Sequence, residues 1–201
     1  MKLVVGLGNP GRQYEGTRHN VGYLVLAEFA RRHGAGLPVR NKFRGEVLEF
    51  DYRGEKTVLL SPLTYMNLSG LSVAEAKGFY KLENDSLLVV TDDLNLPVAR
   101  LRFRARGSAG GQKGLENIIQ QLGHSDFARL RIGVGTPPPR WNWADYVLAK
   151  FTKEEMPQIE KAVQQAADAV GDWIREGIDY CMRTYNGNPA SEARPAADAE
   201  P

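Results

Sequence analysis

The sequence predicts a single α/β domain with a twisted mixed β-sheet and helices on both faces of that sheet. Short apolar runs alternate along the chain with longer segments of helical periodicity, which is the order of a sheet whose strands are connected by helices. One hairpin-like pair of segments and one strictly alternating segment interrupt that order, which favours antiparallel strands beside the parallel ones. A chain of 201 residues is long enough for one such domain with a substantial core.

The predicted strands are short apolar runs bounded by turn residues. They are residues 2–8, 86–93, 98–106 and 129–135, together with the segments GEVLEFDY and EKTVLLS. The last two lie on either side of Arg53-Gly54, which predicts a hairpin. KLVVGLG and SLLVVTDD are apolar without alternation, which is typical of strands buried on both faces.

Four segments have the spacing of helices, namely residues 20–34, 67–81, 114–123 and 153–186. Asn20 is placed to cap the first of them. In the second, Leu71, Ala74, Gly78 and Phe79 recur at helical spacing. The fourth has an apolar stripe that ends at Cys181, and this stripe predicts core packing.

Composition favours a cytoplasmic protein. No apolar run approaches the length of a membrane span, and Met1-Lys2 leads directly into a strand without the features of a signal peptide. The single cysteine, Cys181, excludes an internal disulfide and is predicted to be a small core residue. Residues 188–201 are rich in Ala and Pro and hold three acids and one arginine, a net charge of −2. They are predicted to be a disordered tail outside a domain of residues 1–187.

A glycine pattern follows the first strand. GLGNPG at 6–11 has the letters of a dinucleotide-binding loop, whose helix begins within the glycines. Here RQYEGTRHN follows without apolar periodicity, and the helix begins only near Asn20. Pro10 also lacks the N–H that a phosphate would need. The pattern therefore indicates a sharp turn that places Asn9 at the carboxyl end of the strand, where open α/β sheets bind ligands.

Polar residues occupy comparable places after other strands. His19 precedes the first helix, Asn67 begins the second, and Asp92 follows LLVVT. A histidine held by a carboxylate can act as a general base toward water, and asparagine carboxamides can hold an ester or amide. Each residue also has a purely structural explanation as a cap or turn residue. The three histidines lack ligand spacing, so no metal site is predicted.

A basic stripe lies in RLRFRAR. Arg100, Arg102, Arg104 and Arg106 alternate with apolar residues, so a strand would place all four on one face. No acid offsets them through Lys113, which favours a phosphate-backbone partner. The alternative is a solvated edge strand that resists aggregation.

These segments resemble a known family. VVGLGNPGRQYEGTRHNVG, TYMNLSG, DDLNLP, GSAGG-KGL and RLRIGVG occur here in the order and spacing of bacterial peptidyl-tRNA hydrolases, over about residues 1–187. The resemblance implies a monomeric, cytoplasmic enzyme of translation that needs no metal, cofactor or obligate protein partner. Such an enzyme cleaves the ester between a peptide and the 3′ ribose of tRNA and so recycles tRNA from abortive translation.

The resemblance also implies roles for individual residues. His19 would be the general base that activates water, Asp92 would hold His19, and Asn9 would distinguish a blocked peptidyl end from a free aminoacyl end. Contacts with the peptide and the 3′ end are implied for Tyr14, Tyr65 and Asn67, and contacts with tRNA phosphates for Arg102, Arg104 and Arg131.

One departure from the family pattern concerns a loop that usually reads GGHNG. Here Gln112 and Lys113 replace the usual His and Asn. A charged Lys113 cannot accept a hydrogen bond, although it can donate one to an oxyanion or a terminal phosphate of the substrate. Activity is expected to survive, because the base and its partner are unchanged. The alternative is an RNA-binding protein on the same fold that has lost catalysis.

Overall fold

The computed structural model describes residues 1–187 as one domain built on a seven-stranded mixed sheet. In chain order the strands are β1 (Lys2–Gly6), β2 (Arg40–Lys42), β3 (Gly45–Tyr52), β4 (Glu55–Pro62), β5 (Leu87–Asp93), β6 (Leu101–Arg104) and β7 (Ala128–Gly133). Across the sheet their order is β2-β3-β4-β1-β5-β7-β6. The four central strands are parallel, whereas β2 and β3 at one edge and β6 at the other pair antiparallel. The predicted mixed sheet and hairpin are confirmed, and the predicted tail lies outside the described residues.

Helices cover both faces of the sheet, as predicted. They are α1 (Val21–His33), α2 (Ser69–Tyr80), α3 (Lys113–Leu122), α4 (Trp143–Leu148) and α5 (Met156–Tyr185). The core on one face contains residues of α1 and α5, and the core on the other contains residues of α2 and α3. Alternate residues of β1 point to opposite cores, with Val4 in the first and Leu3 and Val5 in the second. The sequence analysis did not predict α4.

The parallel strands bring their carboxyl ends to one edge of the sheet. Val5 of β1 pairs with Leu60 of β4 and with Val89 of β5, so the segments that follow these three strands emerge side by side. The turn after β1 places Asn9 there, and β5 ends with Asp92 and Asp93. This is the edge at which open α/β sheets bind ligands.

The predicted arginine strand is shorter than expected. Only residues 101–104 form β6, because the backbone is left-handed at Ala99 (φ 66°) and bends again after Arg104. Arg100 therefore leaves the stripe and donates to the carbonyls of Asn186 and Gly187. The prediction of four arginines on one strand face was wrong, since Arg102 and Arg104 alone lie on the strand.

The buried side of α2 also differs from the predicted face. Phe79 is 60 % exposed, whereas Ser69, Ser72, Val73 and Ala76 are buried. The reason is the close approach of α3: a Cβ on Gly70 would lie 2.3 Å from the backbone oxygen of Asn117. Small residues therefore face the neighbouring helix, and Phe79 lies on the exposed side of α2.

The apolar stripe of α5 packs as predicted. Ile159, Val170 and Trp173 are buried, and Cys181 is a fully buried core residue. Burial, with nearby Asp172 and Glu176, raises the pKa of the Cys181 thiol to about 12, so this thiol is not ionised at neutral pH. Gly177 has a φ of 78° and interrupts the helix.

Candidate active site

A histidine–aspartate pair lies at the carboxyl edge of the sheet. His19 belongs to a 3₁₀ helix, Arg18–Asn20, that leads into α1, and Asp92 lies near the end of β5. Nδ1 of His19 is 2.8 Å from Oδ2 of Asp92. The Asp92 side chain is 3 % exposed and that of His19 is 12 % exposed, so the imidazole retains access to solvent. The fold thus brings together two residues that are 73 positions apart.

The carboxylate determines the state of the imidazole. Burial by itself lowers the pKa of His19, but the charge of Asp92 and the hydrogen bond to it outweigh burial and raise the pKa above the usual 6.5. An ionised carboxylate can only accept hydrogen bonds, so Nδ1 of His19 carries the proton. In the neutral imidazole, Nε2 therefore has a free lone pair.

A buried arginine fixes the segment that carries His19. The guanidinium of Arg18 forms an ion pair of 2.5 Å with Glu155 and donates to the carbonyl of Lys150. It also stacks on the ring of Tyr146, at 4.4 Å from the ring centroid. These contacts tie the 3₁₀ helix to α4 and to the start of α5, so the position of His19 depends on segments more than a hundred residues away.

Asn9 is held by both its backbone and its side chain. Its N–H donates to Oδ1 of Asn20 at 2.8 Å, and its carbonyl accepts from Nδ2 of Asn20 at 3.0 Å. Oδ1 of Asn9 accepts the N–H of Met66 at 2.8 Å. Asn20 stands at the N-cap position, but its side chain forms no cap hydrogen bond, so that prediction was wrong. The Asn20 side chain instead positions the turn that carries Asn9.

Gln112 reaches the pair, although the sequence analysis gave it no role. Its Nε2 donates to Oδ1 of Asp92 at 3.0 Å, and its Oε1 accepts the N–H of Leu115 at 2.8 Å as the N-cap of α3. Lys113, the predicted substrate contact, forms an ion pair of 2.9 Å with Glu116, and its side chain is 68 % exposed. The sequence marked Gln112 in two ways, by its place just before a helix and by its replacement of the family's usual His, and neither reveals a partner 20 residues earlier.

Within residues 1–187, the other three predicted substrate contacts form no hydrogen bond with His19 or Asp92. Tyr14 is half-buried in a 3₁₀ helix, Arg12–Tyr14, and Tyr65 is 57 % exposed. Asn67 is exposed on a further 3₁₀ helix, Met66–Leu68, and lines a surface hollow with Lys113. We call His19, Asp92, Asn9 and Gln112 the carboxyl-edge site.

Four arginines of β6 and β7, which we call the arginine edge, form a second group. Arg102 pairs in register with Arg131, and Arg104 with Arg129. Arg131 forms an ion pair of 2.7 Å with Asp93, whereas Arg129 is buried and donates to the carbonyls of Gly107, Ser108 and Ser125. Burial, with the charge of Arg131, lowers the pKa of Arg129 to about 10. Burial and the charges of Arg102 and Arg131 also lower the pKa of Arg104.

Two further observations concern residues 1–187. No group of three or more His, Cys, Asp or Glu side chains in this part of the chain could hold a metal ion. Within the same residues, none of the helices is long and apolar enough to cross a membrane.

Comparison with known proteins gives one consistent result. The sequence model of a family described as peptidyl-tRNA hydrolase matches residues 3–194. The chain belongs to the peptidyl-tRNA hydrolase family. Peptidyl-tRNA hydrolase from Rhodopirellula baltica is 50 % identical over 92 % of this chain and 97 % of its own length. That from Desulfitobacterium hafniense is 49 % identical over 92 % of this chain and 100 % of its own.

Solved structures agree with this assignment. A crystal structure of peptidyl-tRNA hydrolase from Acinetobacter baumannii superimposes with a TM-score of 0.86 at 33 % identity, over 92 % of this chain and 94 % of that one. The fold and the family expected from the sequence are therefore confirmed. As a member of the peptidyl-tRNA hydrolase family, the chain is an enzyme, a hydrolase that acts on an ester bond.

Proposed function

We propose that this enzyme hydrolyses the ester between a peptide and the 3′ ribose of tRNA by general-base catalysis at His19. The observation that carries the proposal is the 2.8 Å contact between Nδ1 of His19 and Oδ2 of Asp92 at the open edge of the sheet. This contact leaves Nε2 as the nitrogen that can take a proton from water. In a peptidyl-tRNA hydrolase the bond to be broken is an ester, and water is a sufficient nucleophile.

The proposed reaction has two steps. Nε2 of His19 removes a proton from water as the hydroxide oxygen attacks the ester carbonyl carbon, and a tetrahedral oxyanion forms. The bond between that carbon and the ribose oxygen then breaks, and the imidazolium returns its proton to the ribose oxygen. The products are a peptide carboxylic acid, which loses its proton to solvent and becomes a carboxylate, and tRNA with a free 3′-terminal hydroxyl. Asp92 stabilises the imidazolium between the two steps and keeps Nδ1 protonated.

In this proposal, Asn9 selects substrates whose amine is blocked over those with a free amine. Its Oδ1 is committed to the N–H of Met66, so the carboxamide offers its NH₂ group to a ligand. A peptidyl end presents a carbonyl next to the ester-linked residue, and this carbonyl can accept that hydrogen bond. A free aminoacyl end presents an ammonium, which only donates. Four further residues are proposed to contact the peptide and the 3′ end, namely Tyr14, Tyr65, Asn67 and Lys113.

The arginine edge is proposed to bind the tRNA backbone. Arg102 is exposed and Arg104 is half-buried, and their guanidinium groups match phosphate oxygens in geometry and charge. Arg131 is proposed as a third contact with the tRNA phosphates, although it also forms an ion pair with Asp93. The proposal places the enzyme in the cytoplasm as a monomer that recycles tRNA during translation without a metal or cofactor.

Single-turnover hydrolysis of an N-blocked aminoacyl-tRNA tests the proposal. His19→Ala should reduce the rate by about 10²–10⁴-fold, because general-base catalysis contributes that much, while tRNA affinity stays at the wild-type value. His124→Ala is the matched control and should keep the wild-type rate, since His124 contacts only the turn at Asp126 in the described residues. Wild-type protein that binds tRNA and leaves the ester intact would instead support the non-catalytic RNA-binding alternative.

A further inference from the structure

Asp92 has two carboxylate oxygens, and each has a different partner. Oδ2 accepts from His19, whereas Oδ1 accepts from Nε2 of Gln112 at 3.0 Å and from the hydroxyl of Thr91 at 3.3 Å. The Thr91 contact is long for a hydroxyl donor, so Gln112 provides the better bond to Oδ1. Donors on both oxygens hold the buried carboxylate in one orientation.

The direction of the Gln112 amide follows from its two neighbours. The N–H of Leu115 can only donate and the ionised carboxylate of Asp92 can only accept, so the amide oxygen faces Leu115 and the NH₂ group faces Asp92. An amide turned by 180° would place donor against donor and oxygen against oxygen. The start of α3 therefore determines which group Gln112 presents to Asp92.

The glycines on either side of Gln112 determine the backbone path of the loop that precedes α3. Gly110 and Gly111 have φ values of 59° and 85°, a conformation that residues with a Cβ rarely adopt. Gly114 packs so closely that a Cβ there would lie 2.6 Å from the sulfur of Met66 and 3.0 Å from Oε1 of Gln112. The first turn of α3 thus packs closely against Met66 and the side chain of Gln112.

We propose that Gln112 is a positioning residue, which holds the Asp92 carboxylate in the orientation that serves His19 and couples this orientation to the N-terminus of α3. The inference rests on the proposed function of His19 and extends it to a residue that acts through Asp92. Because an amide does not titrate, Gln112 supplies its N–H at every pH at which the protein is folded.

Gln112→Glu separates the two hydrogen bonds of the side chain, the one accepted from Leu115 and the one donated to Asp92. A glutamate can still accept the N–H of Leu115, and its charge suits a helix N-terminus, so the cap is kept. When ionised, however, it has no proton to donate to Asp92, and it adds a second carboxylate beside the first. Gln121→Glu is the matched control, since it adds the same charge at an exposed position of α3.

Two measurements test the inference. The ring of His19 is titrated by NMR in the ligand-free protein, and single-turnover hydrolysis is followed as a function of pH. In Gln112→Glu the added negative charge should raise the pKa of His19 by about one unit or more, which moves the rise of the rate to higher pH and lowers the rate near pH 7 about tenfold. Gln112→His, whose neutral ring has one donor and one acceptor, should restore most of the rate.

Equal titration of His19 in Gln112→Glu and Gln121→Glu would overturn the inference, and so would a wild-type pH profile in Gln112→Glu. Failure of the proposed function has a different signature. Wild-type protein that does not hydrolyse the ester would refute the role of His19, while the NMR titration would still decide whether Gln112 controls the Asp92–His19 pair.

Discussion

The carboxyl-edge site and the arginine edge hold their charges in different ways. In the first, the carboxylate of Asp92 is 3 % exposed and both of its oxygens are bonded to side chains whose positions are fixed elsewhere. In the second, Arg102 is exposed on an edge strand. Catalysis requires groups whose geometry is fixed before the substrate binds. Binding of a phosphate backbone requires only positive charges at a suitable spacing.

The arginine edge is itself divided. Arg129 is buried and bonds to three backbone carbonyls, so it holds the loop at 107–108 to the turn at Ser125. Arg104, its neighbour in the register, is half-buried on the outer strand. Residues of one type, paired across two strands, therefore serve stability in one case and are proposed to serve binding in the other. Substitutions at both sites can test this comparison.

The largest effect is expected from Asp92→Asn. Loss of the charge should reduce single-turnover hydrolysis by about 10³-fold, because the imidazolium formed in the reaction loses its partner. The burial that lowers the pKa of His19 would then be unopposed, so this pKa should fall below 6.5. The base is active when neutral, so the rise of the residual rate should move to lower pH, as a pH–rate profile would show.

Asp93→Asn is the control for that experiment, since it removes a neighbouring carboxylate that faces Arg131 and not His19. Its pH–rate profile should rise over the same range as that of the wild type. An Asp92→Asn profile at the wild-type position would contradict the assignment of Asp92 as the group that raises the pKa of His19.

The second prediction concerns the buried half of the arginine edge. Arg129→Met should lower the free energy of unfolding by about 2 kcal/mol or more, since three backbone carbonyls lose their donor. Arg104→Met should change it by less than about 0.5 kcal/mol. Urea unfolding followed by circular dichroism measures both. Equal stability of the two variants would show that the arginine edge is not divided in this way.

The third prediction concerns Arg102 and Arg104, the two arginines of the arginine edge that lie on the outer strand. Arg102→Ala combined with Arg104→Ala should weaken tRNA binding and reduce the slope of log affinity against log salt by roughly one for each phosphate that the variant no longer neutralises. Hydrolysis at saturating substrate should keep the wild-type rate, because neither side chain contacts the carboxyl-edge site. Titrations at several salt concentrations provide the slope, and an unchanged slope would exclude these arginines as phosphate ligands.

The smallest effect is expected from Lys113→Asn, which restores the residue usual in the family. Lys113 is paired with Glu116 and is mostly exposed, so the substitution should leave the rate constant of single-turnover hydrolysis within about threefold, the scale of a surface ion pair. A larger change, in rate or in substrate affinity, would show that the proposed contact of Lys113 with the substrate contributes more than a surface ion pair does.

Local sequence patterns determined most of the secondary structure. Apolar runs located β1 and β5, and the stripe from Ile159 to Cys181 located α5. The order of strands and helices predicted the mixed sheet, and the motifs around Asn9, His19 and Asp92 predicted the family. The strand and helix signals succeed because burial is recorded in the residues themselves, as a continuous apolar run in a strand buried on both faces and as a period of 3.6 in a helix.

Only the tertiary structure decided which polar groups meet. Asn20 occupies the N-cap position of a helix, yet its side chain forms hydrogen bonds with the backbone N–H and carbonyl of Asn9. Gln112, which follows two left-handed glycines, donates to Asp92, whereas Lys113 pairs with Glu116. The direction of a side chain from a loop or an edge depends on the packing of segments distant in sequence, and no local period records that packing.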